Sequence, residues 1–137
     1  MYKVGLLGAG FVGAKRADVA AGSVRSELSV VYDLVQDSAE RVAAATGAAV
    51  ARSWEQVVED PELDIVVVST THESLASLSV AALSAGKHVL CEKPLGRNPD
   101  EVRSVVAAAE TSKRCLKVGY NHRYHPAIAK VVEVVHE

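Results

Sequence analysis

The stretch "VGLLGAGFVG", residues 4–13, spaces three glycines as G-x-G-x-x-G directly after an apolar run. Each glycine meets a separate demand of a strand, turn and helix that bind a pyrophosphate. Gly8 permits a tight turn, Gly10 lets the pyrophosphate approach the backbone, and Gly13 lets the helix pack closely on the strand. An ordinary glycine-rich turn is the alternative, so the context of the stretch decides between the two.

The residues that follow this turn are suited to hold an anion. If a helix begins here and continues to about residue 21, the backbone amides of Gly10, Phe11 and Val12 lie at its N-terminus. Such amides have no partner inside the helix, and the helix dipole favours negative charge at that end. The stretch therefore predicts that these amides contact a phosphate group.

An acidic residue further along the chain supports this interpretation. Asp33 lies twenty positions beyond Gly13, at the end of a second apolar run, "LSVVYD", residues 28–33. A carboxylate at this place accepts hydrogen bonds from the ribose hydroxyls of adenosine and repels a 2'-phosphate. Because Leu34 and Val35 offer no cation, NAD is predicted in preference to NADP, and Leu34 is included among the cofactor-binding residues. A solvated surface aspartate is the alternative.

The rest of the chain has the pattern of an α/β fold. Six short apolar runs alternate with six longer segments of helical period, as expected for parallel strands joined by crossover helices. In "DIVVVST", residues 64–70, the valines follow one another without polar residues between them, which predicts a central strand buried on both faces. We therefore predict a doubly wound Rossmann fold with a mainly parallel six-stranded sheet. The predicted strands are residues 3–7, 28–32, 48–51, 65–69, 88–91 and 116–120.

Capping residues mark several helix boundaries. Ser53 with Gln56 predicts a capping box at the start of a short helix. Asn98 followed by Pro99 predicts a cap and a proline at the first helical position. Gly86 predicts the end of the helix that precedes the fifth strand.

Composition limits the class of protein. With 137 residues and 49% hydrophobic content, residues 1–137 can form one core and are interpreted as a single dinucleotide-binding domain. A net charge of -2 leaves no excess of positive charge to hold nucleic acid or an anionic membrane.

Cys91 and Cys115 are predicted to be small core residues, and no metal site is expected. No run reaches the ~18 apolar residues of a membrane span and no signal sequence is evident, so a cytoplasmic location is expected.

A second stretch of the sequence carries the chemistry. "KHVLCEKPLG", residues 87–96, contains an apolar strand that ends in Glu92, Lys93 and Pro94. Open α/β sheets bind ligands at the carboxyl ends of their strands, so this acid and this base would lie beside the cofactor. A surface Glu-Lys pair followed by a helix-blocking proline is the alternative.

These residues resemble a known family. "AGKHVLCEKPLG", residues 85–96, is very similar to the strand-end motif of the Gfo/Idh/MocA oxidoreductases. "GLLGAGFVG" resembles the opening of that family, and "KVGYNHRYHPA", residues 117–127, resembles its segment after the sixth strand, so the resemblance covers essentially the whole chain. It implies an NAD(P)-dependent enzyme that oxidises a secondary alcohol of a sugar, cyclitol or related polyol, with hydride transfer to nicotinamide.

The resemblance also implies roles for individual residues. Glu92 resembles the residue that bonds near the nicotinamide ribose, and Lys93 resembles the active-site lysine. An ammonium in that place can bond the substrate oxygen, stabilise developing alkoxide and pass a proton. Arg123 resembles an arginine near the carboxamide end of the cofactor pocket. Gly10, Asp33 and Lys93 are then expected along one rim of the sheet.

The loop after the fourth strand follows the family only in part. Ser69, Thr70 and Thr71 stand where the family places its backbone against the nicotinamide side of the cofactor. Many members have Thr-Pro-Asn here with a histidine three positions later, whereas this chain has Thr70-Thr71-His72 and then Leu75. We predict cofactor contact for Ser69, Thr70 and Thr71 and a plain loop position for His72.

The family joins this kind of domain to a second α/β domain that contacts substrate, and no such domain is expected within these residues. Residues 126–137 predict a helix with Ile128, Val131, Val132 and Val135 on one apolar face. We expect this helix to lead toward the missing domain, and the isolated chain to bind cofactor without turning over substrate. The apolar face could also join copies of the chain into a homo-oligomer.

Two other functions are compatible with the same fold. The resemblance extends to a transcriptional repressor, so a non-catalytic NAD-responsive module would bind the dinucleotide without hydride transfer. A reductase of another class could share the Rossmann core, but the Lys-Pro strand end argues against it.

Overall fold

The computed structural model describes residues 1–136, within which six strands alternate with six α-helices and one 3-10 helix. The strands are β1 (Tyr2–Leu7), β2 (Ser26–Tyr32), β3 (Ala49–Val50), β4 (Ile65–Val68), β5 (His88–Cys91) and β6 (Leu116–Val118). The α-helices are α1 (Phe11–Gly22), α2 (Gln36–Thr46), α3 (Trp54–Glu59), α4 (His72–Ser84), α5 (Pro99–Ser112) and α6 (Pro126–His136), and the 3-10 helix spans Asn121–Tyr124. Glu137, the last residue of the predicted terminal helix, lies outside the described residues.

The strands form one sheet in the order β3-β2-β1-β4-β5-β6, and neighbouring strands of the described chain pair in parallel. The chain moves outward from β1 to β3 and then crosses over to place β4 on the other side of β1. This reversal is the topological switch point of a doubly wound sheet. The predicted Rossmann fold with a six-stranded parallel sheet is therefore confirmed.

Both faces of the central strand β4 are buried, as its unbroken valine run predicts. Val66 and Val68 belong to a core cluster with residues of α3, α4 and α5. Val67 belongs to a second cluster with residues of α1 and α2. Burying a valine side chain contributes roughly 2 kcal/mol, so these three residues bind the two helical layers to the sheet.

The predicted helix caps are present, with one difference. The Oδ1 atom of Asn98 accepts a hydrogen bond from the Glu101 amide at 2.9 Å, and the Oγ atom of Ser53 accepts one from the Gln56 amide at 3.4 Å. In a capping box, the Gln56 side chain would return to the amide of Ser53. Here its Oε1 atom accepts from the amide of Arg52 at 2.9 Å, so the bond fixes the residue before the cap.

The predicted sixth strand is two residues too long. β6 ends at Val118, although the Gly119 amide still donates to the carbonyl of Cys91 at 2.8 Å. The Tyr120 amide donates back to Val118 at 2.7 Å and turns the chain into the 3-10 helix. The predicted fourth strand is likewise one residue too long, because β4 ends at Val68 and Ser69 begins the loop.

The apolar face predicted for the terminal helix is present on α6 and is exposed. Ile128, Val131, Val132 and Val135 all lie in solvent among the described residues. None of the helices in residues 1–136 combines the length and apolar character needed to cross a lipid bilayer.

The turn between β1 and α1 depends on the absence of side chains at two glycines. Gly8 has φ +92°, and a Cβ atom there would lie 2.6 Å from the carbonyl carbon and oxygen of Ser69. A Cβ atom at Gly13 would lie 1.9 Å from the carbonyl oxygen of Gly8. By contrast, a Cβ atom at Gly10 would have nothing within 4 Å. Gly8 and Gly13 thus serve packing, and Gly10 faces open space.

The two cysteines lie in different environments. Cys91 is buried in β5, whereas Cys115 is exposed just before β6. The prediction that both are core residues is wrong for Cys115, because it precedes the first paired residue of its strand. Burial raises the pKa of the Cys91 thiol, since the thiolate would lose its hydration.

Gly13→Ala should destabilise the fold, because the added methyl group would lie 1.9 Å from a backbone oxygen and α1 would have to shift. We expect a loss of roughly 2 kcal/mol or more in the free energy of unfolding, measured with urea and circular dichroism. Gly22→Ala, also in α1, is the matched control: nothing lies within 4 Å of its added methyl group, and it should not destabilise. Unchanged stability for Gly13→Ala would contradict the close packing.

Alkylation should distinguish the two cysteines. At about pH 8, iodoacetamide should modify the exposed Cys115 quickly in the folded protein and Cys91 only after unfolding. The thiolate is the nucleophile, and burial both blocks access to Cys91 and disfavours its thiolate. Mass spectrometry counts the modified thiols, and Cys115→Ser should remove the fast reaction. Rapid modification of Cys91 would contradict its burial. The raised pKa of Cys91 also makes the free energy of unfolding depend on pH. As pH rises above about 8.5, the thiol ionises in the unfolded chain before it ionises in the folded one, so the folded protein becomes less stable.

Candidate functional site

The loops that follow the central strands meet at one edge of the sheet. Leu7 pairs with Val68 across β1 and β4, and Val68 pairs with Cys91 across β4 and β5, so these three strands end level with one another. Neighbouring strands lie about 4.8 Å apart, which puts the end of β5 about 10 Å from the glycine turn. Lys93 and Gly8 therefore lie at the same edge of the sheet, each just after the end of its strand.

A cavity of about 300 Å³ lies at this edge. Leu34, Trp54 and Leu78 supply apolar surface, and Asp33 and Thr70 supply polar atoms, a combination typical of small-molecule sites. Five residues predicted from the sequence line it together: Gly8, Asp33, Leu34, Thr70 and Thr71. Trp54 had no sequence signal for a site, and the remaining lining residues are Tyr32, Ser74, Ser77 and Leu78.

The Asp33 carboxylate is held by backbone amides. Its Oδ2 atom accepts a hydrogen bond from the Ala9 amide in the glycine turn at 2.6 Å. Its Oδ1 atom accepts one from the Val35 amide at 2.8 Å. A carboxylate oxygen has more than one acceptor site, so each oxygen can still accept a bond from a ribose hydroxyl. Asp33 thus joins the loop after β2 to the turn after β1.

A cation lies near Asp33 that sequence analysis missed. Arg52, in the loop between β3 and α3, lines a recess together with Asp33 and Leu34. The sequence pattern considers only the residues that directly follow Asp33, whereas Arg52 lies in the loop after β3, the strand beside β2. A guanidinium near such an acid can accommodate a 2'-phosphate, and Asp33 belongs both to this recess and to the cavity.

The N-terminus of α1 is open to an anion. Its N-cap residue is Gly10, which has no side chain to bond the first amides of the helix. The side chain of Phe11 is exposed to solvent, so the predicted contact from Phe11 and Val12 would come from their amides. The Lys15 ammonium lies 4.3 Å from the centre of the Phe11 ring and adds positive charge near this end.

The two residues after β4 differ in what they offer. The hydroxyl of Ser69 is buried and has no hydrogen-bond partner within residues 1–136, and Ser69 is absent from the cavity lining. The Oγ1 atom of Thr70 accepts a hydrogen bond from the Ser74 hydroxyl at 2.8 Å and does line the cavity. A cofactor contact is thus open to Thr70 and Thr71, while Ser69 packs behind them.

Glu92 is buried and paired with an arginine. Its Oε1 atom accepts from the Nε atom of Arg16 at 2.7 Å and from the Nη2 atom at 2.5 Å. The same Nη2 atom donates to the Oδ1 atom of Asn121 at 3.1 Å. Gly119 packs so closely that a Cβ atom there would lie 2.6 Å from the Oε2 atom of Glu92. Sequence analysis missed Arg16, although a buried acid requires such a partner.

Lys93 and Arg123 lie outside the cavity. Lys93 is exposed and precedes Pro94 with a cis peptide bond, the geometry that the sequence left open. Arg123 is exposed in the 3-10 helix, with its guanidinium carbon 5.7 Å from the centre of the Tyr124 ring. Lys93 lies at the predicted edge of the sheet. Arg123 does not line the cavity.

Comparison with known proteins identifies relatives of this chain. It is 38% identical over 133 residues to 1,5-anhydro-D-fructose reductase of Ensifer adhaerens, covering 94% of this chain and 38% of that protein. It is 32% identical over 134 residues to inositol 2-dehydrogenase of Rhizobium meliloti, covering 96% of this chain and 40% of that protein. The chain thus spans about two fifths of the length of these curated relatives.

A solved structure and a family model give the same assignment. The crystal structure of GenD2 from gentamicin A biosynthesis in complex with NAD superposes with a TM-score of 0.92 and 28% identity, covering 97% of this chain and 38% of that one. The model of an oxidoreductase family, described by its NAD-binding Rossmann fold, matches residues 2–120. This chain therefore belongs to the Gfo/Idh/MocA oxidoreductase family, as the family's NAD-binding Rossmann fold.

Proposed function

We propose that this chain is the NAD(H)-binding domain of a dehydrogenase that oxidises a secondary alcohol of a sugar, cyclitol or related polyol. The observation that carries the proposal is the cavity in which Gly8, Asp33 and Thr70 meet where the order of the strands reverses. Doubly wound sheets bind dinucleotides at that point. The substrate class is supported by the two curated relatives, which are named for an anhydrosugar and for inositol.

The site residues suit a dinucleotide laid across the sheet. Its adenosine would occupy the cavity beside Asp33, and its pyrophosphate would meet the amides of Gly10 and Val12 at the N-terminus of α1. Its nicotinamide would extend past Thr70 toward Lys93 at the end of β5. This direction follows from the strand order, because β2 and β5 lie on opposite sides of the switch point.

The cofactor preference depends on two opposite charges. Asp33 repels a 2'-phosphate and bonds a free ribose hydroxyl, whereas Arg52 attracts a phosphate. We propose NAD in preference to NADP, because Asp33 is fixed at the cavity by two backbone amides and Arg52 is an exposed side chain.

The catalytic role that we propose for Lys93 follows from its charge. NAD, when bound, supplies the hydride acceptor. The Lys93 ammonium can bond the substrate oxygen, stabilise negative charge on it and, as the neutral amine, accept the hydroxyl proton. We also propose that substrate turnover requires the second domain of the family, since Lys93 is exposed in this chain. The cytoplasmic location expected from the sequence stays a prediction.

Titration with NADH and NADPH tests the cofactor assignment. Trp54 is the single tryptophan and lines the cavity, so its fluorescence reports binding. We expect NADH to bind about tenfold more tightly than NADPH, a difference of roughly 1.4 kcal/mol. Asp33→Ser should reduce that difference in affinity, because it removes the charge that repels the 2'-phosphate of NADPH. Arg52→Met should weaken the binding of NADPH and leave that of NADH unchanged. Tighter binding of NADPH by the unmodified chain would contradict the NAD preference.

Lys93→Ala tests the catalytic proposal in a protein that carries this domain together with the second domain of its family. We expect kcat for a polyol substrate to fall by about 100-fold or more, while NADH affinity stays within about threefold, because the lysine acts on the substrate oxygen. Lys117→Ala, which removes an exposed lysine of β6, is the matched control. Unchanged turnover in Lys93→Ala would remove Lys93 from the mechanism. NADH binding without turnover by the unmodified protein would favour the regulatory alternative.

A further inference from the structure

We propose that Arg16 is a positioning residue for the nicotinamide half of the cofactor, acting through the buried carboxylate of Glu92. The inference rests on the proposed NAD(H) binding and adds a residue to that site. Arg16 lies in the middle of α1, outside the glycine motif and outside the Glu-Lys-Pro element.

Arg16 joins three separate segments of the chain. It belongs to α1, which begins at the glycine turn, and its Nε and Nη2 atoms both bond the Oε1 atom of Glu92 at the end of β5. Its Nη2 atom also bonds Asn121 at the start of the 3-10 helix. One guanidinium therefore connects the phosphate-facing helix, the strand end before Lys93 and the segment that follows β6.

The geometry requires an arginine. Its planar group presents several N–H donors in fixed directions, so it can serve the carboxylate and the amide oxygen together. A lysine ammonium could neutralise the Glu92 charge but would not hold both acceptors in the same fixed geometry. The side chain of Glu92 is 9% exposed and that of Arg16 is 21% exposed, so water screens the pair far less than it screens the surface ion pairs.

The pair lies toward the nicotinamide end of the site. Asp33, which marks the adenosine end, follows β2, while Glu92 follows β5 on the other side of the switch point. Glu92 immediately precedes Lys93 in the chain, so its ion pair with Arg16 anchors the strand end that carries the lysine. The adenosine cavity contains neither Arg16 nor Glu92 among its lining residues. Loss of Arg16 should therefore disturb one end of the cofactor only.

The test compares two ligands that differ at the nicotinamide end. ADP carries the adenosine and the two phosphates, and NADH carries the nicotinamide ribose and ring as well. Both are titrated into the unmodified chain, Arg16→Met, Arg16→Lys and Arg103→Met by Trp54 fluorescence, with calorimetry as a second readout. Arg103 pairs with Asp100 on the exposed surface of α5 and is the matched control.

In the unmodified chain, NADH should bind more tightly than ADP. Arg16→Met should weaken NADH binding about fivefold or more and leave ADP binding within about twofold, which is a change of roughly 1 kcal/mol or more confined to the nicotinamide end. Arg16→Lys should recover part of the loss, and Arg103→Met should change neither ligand. In Arg16→Met, the emission of the bound reduced nicotinamide should also shift toward that of free NADH.

Other outcomes would overturn the inference. Equal weakening of both ligands by Arg16→Met would indicate a general structural role, and no change in either would remove Arg16 from the site. If Arg16→Met does not fold, the double variant Arg16→Met/Glu92→Gln removes both charges and should show the same selective loss of NADH affinity. Failure of the unmodified chain to bind either ligand would instead overturn the proposed function, and with it this inference.

Discussion

The site depends on the contact between the glycine turn and the end of β4. A side chain at Gly8 would overlap the backbone of Ser69 and Thr70, so only glycine allows the two loops to touch. Gly13 then brings α1 against the same turn. Because these contacts are made by backbone atoms, they fix the open amides of α1 and the threonines after β4 around one space. A single methyl group at either glycine would move the helix away from the loop.

The two acids of the site are held by different kinds of hydrogen-bond donor, and this separates the roles proposed for them. Asp33 accepts bonds from two backbone amides in loops and stays at the cavity wall, where it can still accept bonds from a ligand. Glu92 is buried against the guanidinium of Arg16, whose charge compensates for lost hydration. An acid held by neutral amides keeps its charge available to a ligand, whereas an acid held by a guanidinium becomes a structural support. In the proposed orientation of the cofactor, the end that each acid serves follows from the strand that precedes it.

The sequence predicted the features that depend on neighbouring residues and missed the contacts between residues far apart in the chain. The glycine spacing, the valine run of β4 and the cap at Asn98 are each set by neighbours within a few residues, so the fold could be predicted. The pairing of Arg16 with Glu92 joins residues 76 positions apart, and no periodicity announces it. Trp54 and Arg52 reach the site only because β3 lies beside β2. Cys115 was predicted to be buried because its neighbours in sequence are apolar, but it is exposed just before β6.

The exposure of Lys93 bears on how the chemistry is completed. An ammonium and an alkoxide about 4 Å apart attract by only about 1 kcal/mol in water, against about 4 kcal/mol at the lower effective dielectric of a protein surface site. In this chain Lys93 stands in solvent, so its charge alone supplies little stabilisation of a transition state. In the proposed function the sheet places the lysine at the nicotinamide end, and the electrostatic attraction becomes large only where a layer that excludes water covers the lysine. Positioning by the sheet and exclusion of water are therefore separate requirements for the proposed role of Lys93.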